Sequence, residues 1–172
     1  MAATVITKEY TGSGPTITTV TNVRFCTTDG QDTSTYPLVK PSSGTNYSYV
    51  KTFVPFASVA PAGGLSNIKF YTDGTNSFGT GITVKGIARA QGSYAQATGT
   101  QGTSGDLSAS VYTSGTDLFT YTSASPLSLT GTLGATTGSG TFQTVAAQVA
   151  LSTSVSAGTP SAETWTWRYD ET

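Results

Sequence analysis

The chain has no histidine, one cysteine, one methionine and few charges: 8 Lys and Arg against 9 Asp and Glu in 172 residues. Each scarcity excludes something. Without histidine there is no Ser-His-Asp or Cys-His nucleophilic machinery, and nearly all catalytic zinc sites are ruled out. A single cysteine, Cys26, forms no internal disulfide; in a strand-like stretch it reads as a small buried hydrophobe. A net charge of −1 provides no basic field for a phosphate backbone, so no nucleic-acid partner is expected. No apolar run approaches the roughly 18–20 residues of a membrane-spanning helix, so no membrane partner is expected either. The start, MAATVITKEY, lacks the basic opening and apolar centre of a signal peptide, and the chain is expected to be made in a cytoplasm without export by that route.

What is present is Thr, Ser, Gly and aromatic residues. The hydrophobic fraction is 36% and the charged fraction 10%, both below the averages of about 45–50% and about 25%. Such low charge with 20 glycines would suit a disordered chain, but 9 Tyr, 7 Phe and 2 Trp argue against one. Thr is β-branched and favours strands. The composition predicts an all-β domain with polar, uncharged surfaces and many turns.

The clearest stretch is Ser66 to Gly81, SNIKFYTDGTNSFGTG. Ile68 and Phe70 alternate with Lys69 and Tyr71, which puts the apolar pair on one face of a strand. Asp73-Gly74 ends it, since glycine after Asp supplies a positive φ at low cost, and a second strand follows from Ile82 to Ala90. The phrase occurs twice: Asn22 to Thr27 matches Asn67 to Thr72, and Asp29-Gly30 follows the earlier copy. Either the copies mark related halves or they are two core strands using similar residues. Both readings make each copy a core strand ending in a solvent-facing turn.

Further strands are expected at Thr4 to Tyr10, as an edge, at Thr16 to Thr27, and at Asn46 to Phe56, where both faces carry bulk. Leu107 to Thr113, Leu118 to Thr122 and Leu127 to Leu133 read as short strands. Phe142 to Val155 alternates at Val145, Ala147, Val149 and Leu151, although AAQVAL would also suit a helix. Ala162 to Glu171 places Trp165, Trp167 and Tyr169 on one face, at i, i+2 and i+4. Phe25, Ile68, Phe70, Val149 and Leu151 are the expected core. Nine or ten short antiparallel strands with frequent turns form a β-sandwich or jelly-roll-like domain. It is read as one domain over residues 1–172, with an N-terminal strand or arm at 1–15, a protruding loop at Gly92 to Asp106 and a C-terminal strand and tail at 162–172.

Candidate chemistry is sparse. Asp29 and Asp32 near Gln31, and Asp73 with Asn76, have calcium-loop residue types without the acidic density of a dedicated site, and they read as turn formers. Asp170 and Glu171 fall on opposite strand faces, unlike the paired carboxylates of a glycosidase. No metal, cofactor or catalytic residue is expected, and the protein is read as no enzyme. The aromatics Tyr47, Tyr49, Tyr71, Trp165, Trp167 and Tyr169 are the remaining candidates, for a carbohydrate platform or a protein interface. The alternative is that the Trp pair lies in the core.

SNIKFYTDGTNSFGTG and the closing ETWTWRYDET resemble small virion structural proteins of tailed bacteriophages, with a likeness running from Val23 onward. The resemblance implies a non-enzymatic decoration or minor capsid protein, bound to the assembled head as an oligomer. A collar, tail or fibre component is an alternative within the virion. A carbohydrate-binding or adhesive β-sandwich is an alternative outside it. The implied partners are the major capsid protein or other virion proteins and further copies of the chain, a trimer by preference, with the virion as location.

Overall fold

The computed structural model describes residues 2–97, 114–158 and 160–172. Among these residues the fold is all-β, with eleven strands in two antiparallel sheets stacked as a sandwich. The strands are β1 Thr4–Thr11, β2 Thr16–Thr19, β3 Thr45–Tyr47, β4 Lys51–Val59, β5 Gly64–Thr72, β6 Ile82–Arg89, β7 Thr116–Asp117, β8 Leu127–Ser128, β9 Leu133–Gly134, β10 Thr144–Ser152 and β11 Trp165–Glu171. The larger sheet runs β2-β1-β4-β10-β6-β7, with β3 also paired to β10. The smaller places β5 between β11 and β8, with β9 also on β5.

The core forms where the two inner faces meet. β5 buries Ile68 and Phe70, as its alternation predicts, and also Leu65, which lies beyond the register shift at Asn67. β10 is a strand rather than a helix, and it is buried on both faces. Its Val145, Ala147, Val149 and Leu151 join Phe53, Val84, Ile68 and Phe70 in one cluster, against which Trp165, Trp167 and Tyr169 of β11 pack. β4 is likewise buried on both faces at its start. Pro55 is tolerated within β4 because the pairing to β10 ends at Phe53, so the missing N–H interrupts no rung there.

Five expectations are corrected. Thr4 to Tyr10 is not an edge: β1 lies between β2 and β4. The long strand expected at Thr16 to Thr27 stops at Thr19. Beyond a bond from Val20 N to Thr7 O at 3.1 Å, the backbone finds partners off the sheet, with Thr27 N donating to Tyr36 O at 3.0 Å. Cys26 is wholly buried there, but Phe25 is only partly buried. The two matching hexapeptides therefore differ in structure: Asn67 to Thr72 is strand and Asn22 to Thr27 is not. Leu118 to Thr122 is no strand either. Leu118–Thr120 is a 3-10 turn whose start is capped by Asp117. Leu118 and Phe119 are adjacent and both buried, which a strand with one buried face cannot achieve.

Two expected strands are broken. Asn46 to Phe56 becomes β3 and β4, separated where Ser48 Oγ accepts from Val149 N at 3.0 Å and Tyr49 N turns to Cys26 O at 2.8 Å. Leu127 to Leu133 becomes β8 and β9. Between them the chain turns to residues 141–143, through Thr141 N to Thr132 O and Gln143 N to Thr130 O, both 2.9 Å. Gly131 is required at this crossing: its φ is +119°, and a Cβ would sit 2.4 Å from Thr141 O. Most of the loop expected at Gly92 to Asp106, and the strand at Leu107 to Thr113, lie outside the described residues.

Candidate functional site

The larger sheet is wider than the smaller one, and the segment from residue 20 to 40 fills part of the difference. Val23, Phe25 and Leu38 pack against the main core. Between this segment, the two sheets and residues 155–158 and 160–163 lies a cleft of about 1090 Å³. Phe53, Val149 and Leu151 line it from one sheet, Phe70, Trp165 and Trp167 from the other, and Arg24, Lys40 and Glu163 contribute charge. Its aromatic wall is a network of tilted and edge-to-face rings. Trp165 stands 5.5 Å from Phe70, 5.8 Å from Phe53 and 5.9 Å from Phe25, and Trp167 stands 5.2 Å from Phe70. Such geometry suits the ring quadrupoles. Trp167 Nε1 also donates to Thr7 Oγ1 at 2.9 Å, tying β11 to β1 across the sandwich.

The six aromatic candidates are thus divided. Trp165, Trp167 and Tyr169 share the inner face of β11 and contribute to the core. Trp165 and Trp167 also reach the cleft. Tyr71 shares β5 with Phe70 but faces the other way, with the Arg168 guanidinium 5.9 Å from its ring centre. Tyr47 lies on β3 in the larger sheet, and Tyr49 follows it outside any strand, its N–H bonded to Cys26 O.

The carboxylates weighed as metal ligands or catalysts hold backbone and side-chain donors. Asp29 Oδ2 accepts from Gly12 N at 2.6 Å. Asp32 Oδ1 accepts from Ser34 N, Ser34 Oγ and Thr35 N, and these bonds, that from the Thr35 N–H foremost, lower its pKa to about 2. Asp73 Oδ1 accepts from Thr75 N at 2.9 Å. Asp170 accepts from Asn67 Nδ2 at 2.9 Å, beside the shift in β11–β5 register where Asn67 takes a φ of +51°. Glu171 accepts from Ala3 N at 2.9 Å and Ala62 N at 3.3 Å. Among the described residues no three metal-ligating side chains cluster.

A second site lies beside the cleft wall, under the loop at residues 26–31. Lys51 is 0% exposed and Glu9 1%. By strand alternation they share the face of β4 and β1 that carries Phe53 and Thr7. Lys51 Nζ lies 3.6 Å from Glu9 Oε1, donates to Thr28 O at 2.8 Å and also donates to Gly30 O. Gln31 Nε2 donates to Glu9 Oε2, and Gln31 Oε1 accepts from Arg24 N at 2.5 Å. Cys26 Sγ approaches the same loop carbonyls, Gly30 O at 3.2 Å and Thr28 O at 3.7 Å. Burial raises the Glu9 carboxyl pKa, opposed by the charge of Lys51 and the bond from Gln31. Nearby, Tyr94 is pushed up to about 12, by burial first and then by the charges of Asp29 and Glu9. Sequence reasoning missed this cluster. Its one signal was Lys51 itself, a lysine in phase with Tyr47, Tyr49 and Phe53 in a segment with bulk on both faces.

No family model, curated protein or solved structure compared with the chain matches it.

Proposed function

We propose that the protein is a non-enzymatic structural component of a tailed-phage virion, a decoration or minor capsid protein that binds the assembled head as a homo-oligomer, trimeric by preference. The observation that carries this reading is how the acidic groups are used. Asp29, Asp32, Asp73, Asp117, Asp170 and Glu171 accept hydrogen bonds that hold turns, a cap, a bulge and a chain end. They stabilise a scaffold and face no common reaction centre.

Partner surface is offered by the outer strand β2, which is exposed throughout and presents Ile17. Tyr36 and Val39 stand exposed on the 20–40 segment. An unprotected edge of this kind is a template for pairing with another chain, and closed rotational symmetry is the usual arrangement of identical copies. β11, outermost in the smaller sheet, is a second such edge.

Two measurements test the reading. Sedimentation of the purified protein should give a defined oligomer, and imaging of intact particles should find the chain repeating on the head. Repeats at the neck or tail would move the assignment to a collar, tail or fibre component. A strict monomer absent from every particle would overturn the virion role. The aromatic cleft then favours a carbohydrate-binding or adhesive sandwich, and soluble glycans quenching the fluorescence of Trp165 and Trp167 would be its signature.

A further inference from the structure

We propose that Lys51 and Gln31 become joined by an isopeptide bond formed by the protein itself, with Glu9 moving the protons, so that the loop at residues 26–31 is covalently fastened to β4. The proposal stands whichever partner the protein binds. It rests on three side chains in the relation that amide exchange needs. One carboxylate touches both reactants: Glu9 Oε1 faces the Lys51 ammonium at 3.6 Å, and Glu9 Oε2 accepts from the Gln31 amide nitrogen. The Gln31 amide oxygen is held by the Arg24 N–H at 2.5 Å, a donor placed where negative charge develops when the carbonyl is attacked. Lys51 and Glu9 are almost completely withdrawn from water. A buried carboxylate is costly there, and the neutral, proton-carrying form of Glu9 is relatively favoured. The burial-driven rise in the Glu9 pKa acts in the same direction.

The step balances without any outside reagent. Lys51 Nζ passes a proton to Glu9, and its lone pair attacks Gln31 Cδ. The Nζ–Cδ bond forms, and the charge on Oε1 is stabilised by the Arg24 N–H. Glu9 returns its proton to Nε2, the Cδ–Nε2 bond breaks and ammonia leaves. Glu9 then removes the surplus proton from Nζ and passes it to the departing ammonia, which leaves as ammonium. Nothing is oxidised or reduced. Holding the reactants on one carboxylate makes the reaction effectively unimolecular, and the burial of Lys51 and Glu9 keeps the nucleophile and the base away from bulk water.

Intact-mass spectrometry of the denatured, purified chain tests this directly. A mass about 17 Da below that of the sequence is expected, the loss of one ammonia. Trypsin should leave a peptide from Phe25 to Lys69 uncut after Lys51, with Gln31 and Lys51 linked in its fragment spectrum. Lys51→Arg and Glu9→Gln should each restore the full mass. The Cys26 thiol should stay reactive towards alkylating reagents after denaturation. A wild-type chain at full mass, cut after Lys51, overturns the proposal whether or not the variants fold. A mass deficit with Cys26 blocked and Lys51 cleavable also overturns it, because the bond would then be a Cys26–Gln31 thioester.

Discussion

Asp32 accepts three hydrogen bonds through one oxygen, from Ser34 N, Ser34 Oγ and Thr35 N. All three favour the ionised form. With its folded pKa lowered to about 2 from the usual 3.8, Asp32 contributes stability that is present above the unfolded value and lost as pH falls through the folded one. An NMR titration should place its midpoint near 2, and Asp32→Asn should make stability less sensitive to acid between about pH 4 and 2. A midpoint near 4 would mean that the turn is open in solution. Phe70 is a residue of the opposite kind: 1% exposed and in contact with both tryptophans. Phe70→Ala should cost about 3–5 kcal/mol in denaturant unfolding, and a loss below about 1 kcal/mol would place the ring outside the core.

At the scale of the element, β6 passes close to the 3-10 turn at Leu118–Thr120. A Cβ on Gly86 would meet Leu118 Cδ2 at 2.5 Å and Cγ at 2.9 Å, and Leu118 is fully buried. Gly86→Ala should therefore destabilise by about 1–3 kcal/mol through overpacking, and an unchanged unfolding midpoint would show that the turn yields freely. β5, β10 and β11 were legible in the sequence because one face of each meets the core, so the apolar residues recur with the strand period. The segment from Val20 onward was not. Cys26 is buried and Val23, Phe25 and Leu38 are partly buried by packing from a loop and not from a strand face, and such burial leaves no period. Leu118 and Phe119 misled for a related reason, since a turn buries neighbours together. The Glu9–Lys51–Gln31 cluster was hidden because it depends on β1 lying beside β4 and on the loop between β2 and β3 folding over both. The aromatic candidates were chosen by residue type, which does not say that Tyr71 faces away from Trp165 and Trp167.

For the whole molecule, the bonds made by Asp29, Asp32 and Asp73 argue that the fold is held without a cation. EDTA should leave the melting temperature unchanged, and a fall of several degrees reversed by calcium would promote these carboxylates to ligands. The two ends of the chain meet on one side of the sandwich. Ala3 N donates to Glu171 Oε2 at 2.9 Å, Tyr169 OH donates to Ala3 O at 3.2 Å, and Thr172 exchanges two backbone bonds with Gly64. That arrangement sets how the molecule answers a mechanical load. Tension applied through both ends falls first on the outermost rungs, Thr4 against Val59 and Thr172 against Gly64. The rungs then yield in turn, as a zipper does, instead of sharing the load in shear. Pulled by its ends in an optical trap, the protein should open at low force. With Lys51 bonded to Gln31, the fully stretched chain should fall short of its contour length by roughly 60 Å, the span of the roughly 20 residue steps between them less the length of the side-chain bridge that replaces them.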